Sequence, residues 1–393
     1  MTIDKVFDAD NHYYEAMDSF TRYIEPEFKR RCMQWTELNG RQVLLVGGKL
    51  NRFIPNPTFD MLSAPGSLEQ YFRGRNLKGD SVKDLFGDLE PCDPAYRDRD
   101  IRYKVMQDMN IEGALFFPTL AVGMENALKD DVPAAQAAFR AFNKWLDEDW
   151  GFAYKETIFS TPYIVLSDVD NAVSQLEWAL ERDARLVLLG TGPVRTDEGL
   201  KSPADPRFYP FWARVQESGV AVVYHGGANA YHDLVTMWGE KSEMEAHKFE
   251  PLRAALSPDA VADTFAALIL HGLMDKFPNI RFATVETGAN WVRPLLKRLG
   301  KIYRQNPSMF TNNPVEQFKQ NVWVSPFYED DLDQLRSVLG ADRLMLGSDW
   351  PHTEGMADPF TFIEDLTQAG FTADEQQLIM HDNCQSLTVR RPS

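Results

Sequence analysis

Residues 7 to 15 read FDADNHYYE and set Asp8, Asp10, His12 and Glu15 close together behind a short apolar run. Like charges repel, and a buried carboxylate without a partner is costly. A solvated turn tolerates such residues, but residues two apart on a strand point the same way, so Asp10 and His12 can both face one ion. A cation compensating the crowded charge is the simplest account of this stretch. Asp8 fits a different task, capping or bonding local backbone. Other polar residues end apolar runs downstream: His225 closes VAVVYH, Glu286 closes RFATVE, and Asp349 closes LMLGSD with His352 three positions on.

These separate motifs need a scaffold that brings them together. From about residue 100 helical and strand-like segments alternate: IRYKVMQDMN then GALFFP, PAAQAAFRAFNKWLDEDW then TPYIVL, DNAVSQLEWALERD then RLVLLG, FYPFWARVQESG then VAVVYHGG. A helix over roughly 258–276 follows, then IRFATVE, NVWVSP and RLMLGSD, each with a helix behind it. With KVFDAD in front there are eight strands. They are short continuous apolar runs, as strands buried on both faces require. This order predicts a TIM (β/α)8 barrel, in which the C-terminal strand ends share one mouth. No GxGxxG or Walker-type loop follows a strand, which argues against a doubly wound nucleotide-binding sheet.

The chain is read as a single domain over 1–393, with two stretches outside the repeat. Residues 16–98 follow strand one, hold few clean elements and are rich in Pro, Gly, Arg and aromatics, as expected of an insertion lying over the barrel mouth. A shorter insertion after strand five runs from GGANAYHDL to about Ser257 and includes Met237, Trp238 and Phe249.

At 393 residues, 44% hydrophobic and 25% charged, the chain can bury a large core. A formal net charge of -17 argues against nucleic acid or an anionic membrane as partner and for a small-molecule substrate. No signal-like start and no run long enough to span a bilayer is present, so a cytoplasmic location is expected. Cys32, Cys92 and Cys384 are scattered, which leaves nitrogen and oxygen to hold any metal.

The ordered set DADNH, DPRFYPFWARVQESGVAVVYHGG, FPNIRFATVETGANWV and SPFYEDDLDQLRSVLGADRLMLGSDWPH resembles the amidohydrolase superfamily, in the branch typified by aminocarboxymuconate semialdehyde decarboxylase. That resemblance implies a divalent metal, usually zinc and sometimes manganese or iron, held by Asp10, His12, His225 and Asp349. It also implies hydrolysis of carbon–nitrogen or carbon–carbon bonds, or nonoxidative decarboxylation, with Asp349 as the base. Two positions depart from the family pattern. Asp10 stands where many relatives have His, and Glu286 stands where decarboxylase relatives have a proton-handling His.

Glu286 is therefore a candidate general acid or base, or an extra ligand; a buried pairing with Arg293 or Lys297 is the alternative. His352 is a candidate metal or substrate contact, and Glu15 either a further ligand or the start of a helix. With these carboxylates the site has donors for one ion or two, which keeps open a dinuclear iron or manganese oxygenase on the same scaffold. A noncatalytic, metal-stabilised partner subunit is the third reading. Arg73 and Arg75 in YFRGRNLKG are candidates to clamp a substrate carboxylate, and Trp291 and Trp350 to line the pocket. The resemblance also implies a homo- or hetero-oligomer.

Overall fold

The structure is a computed structural model and describes residues 3–227, 230–241, 251–252 and 260–392. Strands β1 (Val6–Tyr13), β2 (Ile111–Pro118) and β3 (Ile158–Ser160) pair in parallel. So do β4 (Leu186–Leu189), β5 (Ala221–His225), β6 (Phe282–Val285) and β7 (Val322–Val324). Single parallel bridges join the two sheets: Tyr163 to Leu188, Val324 to Leu344, and Asn11 to Trp350. The eighth position is the irregular run from Leu344 to Trp350, whose Leu346 carbonyl accepts from Ala9 N at 2.8 Å. The ring closes as a TIM barrel.

The parallel strands are buried along their length, which is why each reads as a plain apolar run. Eight helices cover them: α1 (Arg99–Asp108), α2 (Val132–Asp149), α3 (Val169–Leu180), α4 (Tyr209–Ser218), α5 (Ala260–Leu270), α6 (Val292–Gln305), α7 (Leu332–Val338) and α8 (Phe362–Gln368). Asp98, Asp131, Asp168 and Asp331 cap four of them, each accepting a first-turn amide. Buried apolar side chains form one contiguous cluster through barrel and helices. No described helix is long and apolar enough to cross a membrane.

Two expectations are corrected here. The third strand begins earlier than TPYIVL, at Ile158, because Pro162 has no N–H and interrupts the ladder; pairing resumes where Ile164 N donates to Leu188 O at 2.9 Å. The stretch 16–98 also carries more order than expected. Met33–Leu38, Arg41–Val46 and Lys49–Asn51 form an antiparallel meander. Its two turns are Asn39–Gly40 and Gly47–Gly48, all at positive φ, the dipeptides that tight hairpins require.

Two backbone contacts tie the insertion to the loop that follows Trp350. Gly66 N donates to His352 O at 3.0 Å and Leu68 N to Thr353 O at 2.8 Å. The contact is too close for any side chain at Gly66, whose Cβ would stand 2.8 Å from Ala357 N. In the second insertion Ala230–Trp238 is a 3-10 helix with Met237 and Trp238 exposed; Phe249 lies outside the described residues.

Candidate metal centre

Each candidate side chain is aimed by a departure from regular strand geometry. In β1 the register passes from Asp8 opposite Ala114 to Asn11 opposite Phe116, a bulge at Ala9 and Asp10. Beneath it Asp8 is a structural tie. Its carboxylate accepts from Asp10 N at 3.1 Å, Asn11 Nδ2 at 2.8 Å and Ser348 N at 2.9 Å, joining β1 to the eighth position. Glu286 and Asp349 sit at φ 50° and 57°, in the left-handed region that side chains with a Cβ enter at a cost. In both, this turn follows the end of a buried run.

The result is a convergence of donors. His12 Nε2 lies 3.1 Å from Asp10 Oδ1, 3.3 Å from Glu286 Oε2 and 3.3 Å from Asp349 Oδ1. His225 Nε2 lies 3.1 Å from Glu286 Oε2, 3.6 Å from Asp10 Oδ1 and 3.3 Å from His12 Nε2. His352 Nδ1 is 2.7 Å from Asp349 Oδ1. Among the described residues, two groups have all donor atoms within 4.8 Å of one another: Asp10, His12, His225 and Glu286, and His12, Glu286, Asp349 and His352. They overlap in His12 and Glu286.

Electrostatics match a site built for positive charge. Burial alone depresses His225, yet the carboxylates of Glu286 and Asp10 raise it to about 10. Burial pushes Glu286 up, but His225 and His12 hold it well below the usual carboxylate range. Asp349 goes the other way, raised well above that range by burial and by the charges of Glu286 and Asp10. Asp10 Oδ1 and Asp349 Oδ1 are buried and face imidazole nitrogens, His12 Nε2 at 3.1 Å and His352 Nδ1 at 2.7 Å. Buried acceptors turned toward one point are costly in a neutral pocket and natural around a cation, so the residues fit a metal ion.

The backbone around the donors fixes their presentation. His225 Nδ1 is 2.7 Å from Gly226 O, an atom that only accepts, so Nδ1 carries a hydrogen and, in the neutral ring, Nε2 presents its lone pair. Gly226 has no room for a side chain: a Cβ there would be 2.2 Å from Glu286 O. The carbonyl of His12 accepts from Arg102, a fully buried residue of α1 that also donates to Asn11 Oδ1 at 3.1 Å and Ala95 O at 2.9 Å.

The remaining candidates are placed elsewhere. Glu15 stands outside both donor groups; its Oε1 accepts from Leu120 N and Ala121 N at 2.8 and 2.9 Å, and burial raises its carboxyl to about 7. Arg73 is taken up by Glu69 and Asp365 and lies over the Tyr328 ring at 4.2 Å, while Arg75 is exposed. Trp291 belongs to the core: it stacks on Phe265 and donates to Gly288 O at 2.9 Å. Trp350 forms a lid on the Arg102 guanidinium, 4.1 Å from it. Glu286 is paired with the two histidines and not with Arg293 or Lys297. Sequence reasoning missed Arg102, Ser348 and Thr119. The signal for Arg102 was its spacing from Met106, the two residues of α1 that are buried on one face.

The amidohydrolase family model matches residues 36–387. An amidohydrolase from Mycobacterium avium subsp. paratuberculosis K-10 is 39% identical, with TM-score 0.93 over 99% of this chain and 100% of that one. The 5-carboxyvanillate decarboxylase of Sphingomonas paucimobilis shares the fold at 16% identity and TM-score 0.60, over 98% and 99% of the two chains. A dihydroxybenzoic acid decarboxylase from Polaromonas sp. JS666, solved with bound manganese and the inhibitor 2-nitroresorcinol, does so at 18% identity and TM-score 0.57, over 83% and 94%. A comparison with curated proteins finds no match. The chain belongs to the amidohydrolase family and is an enzyme of that superfamily.

Proposed function

We propose that the protein is a metal-dependent hydrolase or nonoxidative decarboxylase of a small carboxylic or carbonyl compound, working with one divalent ion. The observation that carries this reading is the convergence of Asp10, His12, His225, Glu286, Asp349 and His352 on the barrel mouth. Asp10, His12, His225 and Asp349 are the core ligands, with Glu286 and His352 completing the set. The arrangement supports one ion over two, because both donor groups depend on His12 Nε2, and a nitrogen with one lone pair serves one ion. This disfavours the dinuclear oxygenase. Three carboxylates among the donors favour manganese or iron over the zinc that the family resemblance implies, in line with the manganese of the Polaromonas decarboxylase.

Held by these residues, such an ion would supply Lewis acidity toward a substrate carbonyl or carboxylate oxygen and would lower the pKa of a nearby water. Glu286, held ionised by His225 and His12, keeps negative charge at the ion and is poorly suited to donate a proton. Asp349, 2.7 Å from His352 Nδ1, is the group that moves a proton to or from the reacting atom. The likeness to decarboxylases of hydroxylated benzoic acids directs the first substrate search to aromatic acids.

The test is elemental analysis of protein purified without added metal, followed by anaerobic turnover of a panel of aromatic acids and amides. The reading expects close to one manganese, iron or zinc per chain, loss of that metal in His225→Ala, and turnover without oxygen. Two ions per chain with oxygen consumption would replace it with the oxygenase. Full metal content with no turnover, and an activity that appears only with a second protein, would support the partner-subunit reading.

A further inference from the structure

Thr119 follows β2 at the mouth, and its hydroxyl makes two short contacts: 2.9 Å to Tyr13 O and 2.9 Å to His352 Nε2. A carbonyl only accepts, so the single hydroxyl hydrogen must point to Tyr13 O for the first contact to be a hydrogen bond. The second is then a hydrogen bond only if His352 Nε2 carries a hydrogen and donates it to Thr119 Oγ1. In neutral His352 this leaves the lone pair on Nδ1, the nitrogen 2.7 Å from Asp349 Oδ1. Stacking on His12, with ring centroids 3.9 Å apart and planes at 30°, opposes rotation of the ring out of this orientation.

We propose that Thr119 is a positioning residue that fixes the tautomer of His352, so that Nδ1 is offered as a nitrogen ligand beside Asp349. The same device operates at His225, where Gly226 O holds the hydrogen on Nδ1 and frees Nε2. The two histidines thereby use opposite ring nitrogens, each set by an acceptor behind the ring. The proposal rests on the metal-centre reading above and adds a residue that touches neither ion nor substrate. In Thr119→Val the acceptor is gone, and the hydrogen is better placed on Nδ1, donating to Asp349 Oδ1, where it blocks ligation.

The experiment uses the whole chain loaded with manganese alone. Pulsed electron paramagnetic resonance counts the imidazole nitrogens coupled to the ion, and chelator competition gives its affinity. We expect three nitrogens in the wild type and in Thr119→Ser, two in Thr119→Val, and manganese binding about 10- to 100-fold weaker in Thr119→Val. Two nitrogens in the wild type overturn the assignment of His352, a result that does not depend on any variant folding. Three nitrogens and unchanged affinity in Thr119→Val overturn the role of Thr119 alone. A wild-type protein that takes up no manganese, iron or zinc overturns the metal-centre reading itself.

Discussion

At the scale of single residues, the site separates groups that do chemistry from groups that aim them. In the proposed reaction Asp349 belongs to the first kind. Asp349→Asn keeps the size and removes the charge and the proton-handling role, so turnover should fall by at least about 100-fold while circular dichroism stays unchanged; a variant with wild-type turnover refutes the assignment. Arg102 belongs to the second kind. Replacing it with Met leaves His12 O, Asn11 Oδ1 and Ala95 O without the guanidinium, and unmade bonds of buried groups cost about 1–3 kcal/mol each. Denaturant unfolding of metal-free Arg102→Met should therefore show a loss of roughly 3 kcal/mol or more; a loss below about 1 kcal/mol means the guanidinium is not what ties α1 to β1.

At the scale of elements, the strand ends must come close enough for side chains from β1, β5, β6 and the eighth position to share one point. Gly226 sets the approach of β5 to β6. Gly226→Ala puts a methyl 2.2 Å from a backbone oxygen of Glu286, and the forced shift should cost about 1–3 kcal/mol and weaken metal binding more than tenfold, read by thermal melting and chelator competition. The elements that carry the candidate ligands were legible because buried parallel strands leave an unmistakable mark, an apolar run ending in a polar residue. His12, His225, Glu286 and Asp349 were found that way. Thr119 and Ser348 were not, since a hydroxyl among loop residues carries no periodicity and its partners are distant in sequence. The meander after β1 was legible in principle: Asn39–Gly40 is a strong hairpin signal, hidden by strands whose polar and apolar residues mix. Arg73 misled because an arginine in an insertion reads the same whether it meets a substrate or, as here, Glu69 and Asp365.

At the scale of the whole molecule, the buried titratable groups link stability to pH and to metal. Burial raises Asp8 to about 6 and Glu15 to about 7, above their ordinary values of 3.8 and 4.5. A carboxyl whose folded value is raised favours folding fully below its unfolded value, and that contribution is lost as pH climbs through the folded value. His225, raised to about 10 by Glu286 and Asp10 against burial, has the same sign above its ordinary 6.5. Metal-free protein should therefore melt at a higher temperature at pH 5 than at pH 8. Adding manganese should stabilise most at pH 8, where ligands shed protons most easily; at 100 times the dissociation constant the gain is about 2.7 kcal/mol. A metal-free melting temperature that rises between pH 5 and pH 8 contradicts this account.

The left-handed backbone at Glu286 and Asp349 has a consequence for the history of such a chain. Both positions would be more comfortable as glycine or asparagine, so a carboxylate there carries a backbone cost that a glycine would not. A library of this protein selected for thermal endurance alone, with no demand for turnover or metal uptake, should shed its acid first at 349, where burial and the charges of Glu286 and Asp10 add to the backbone cost, and its survivors would be sturdier barrels with an inert mouth.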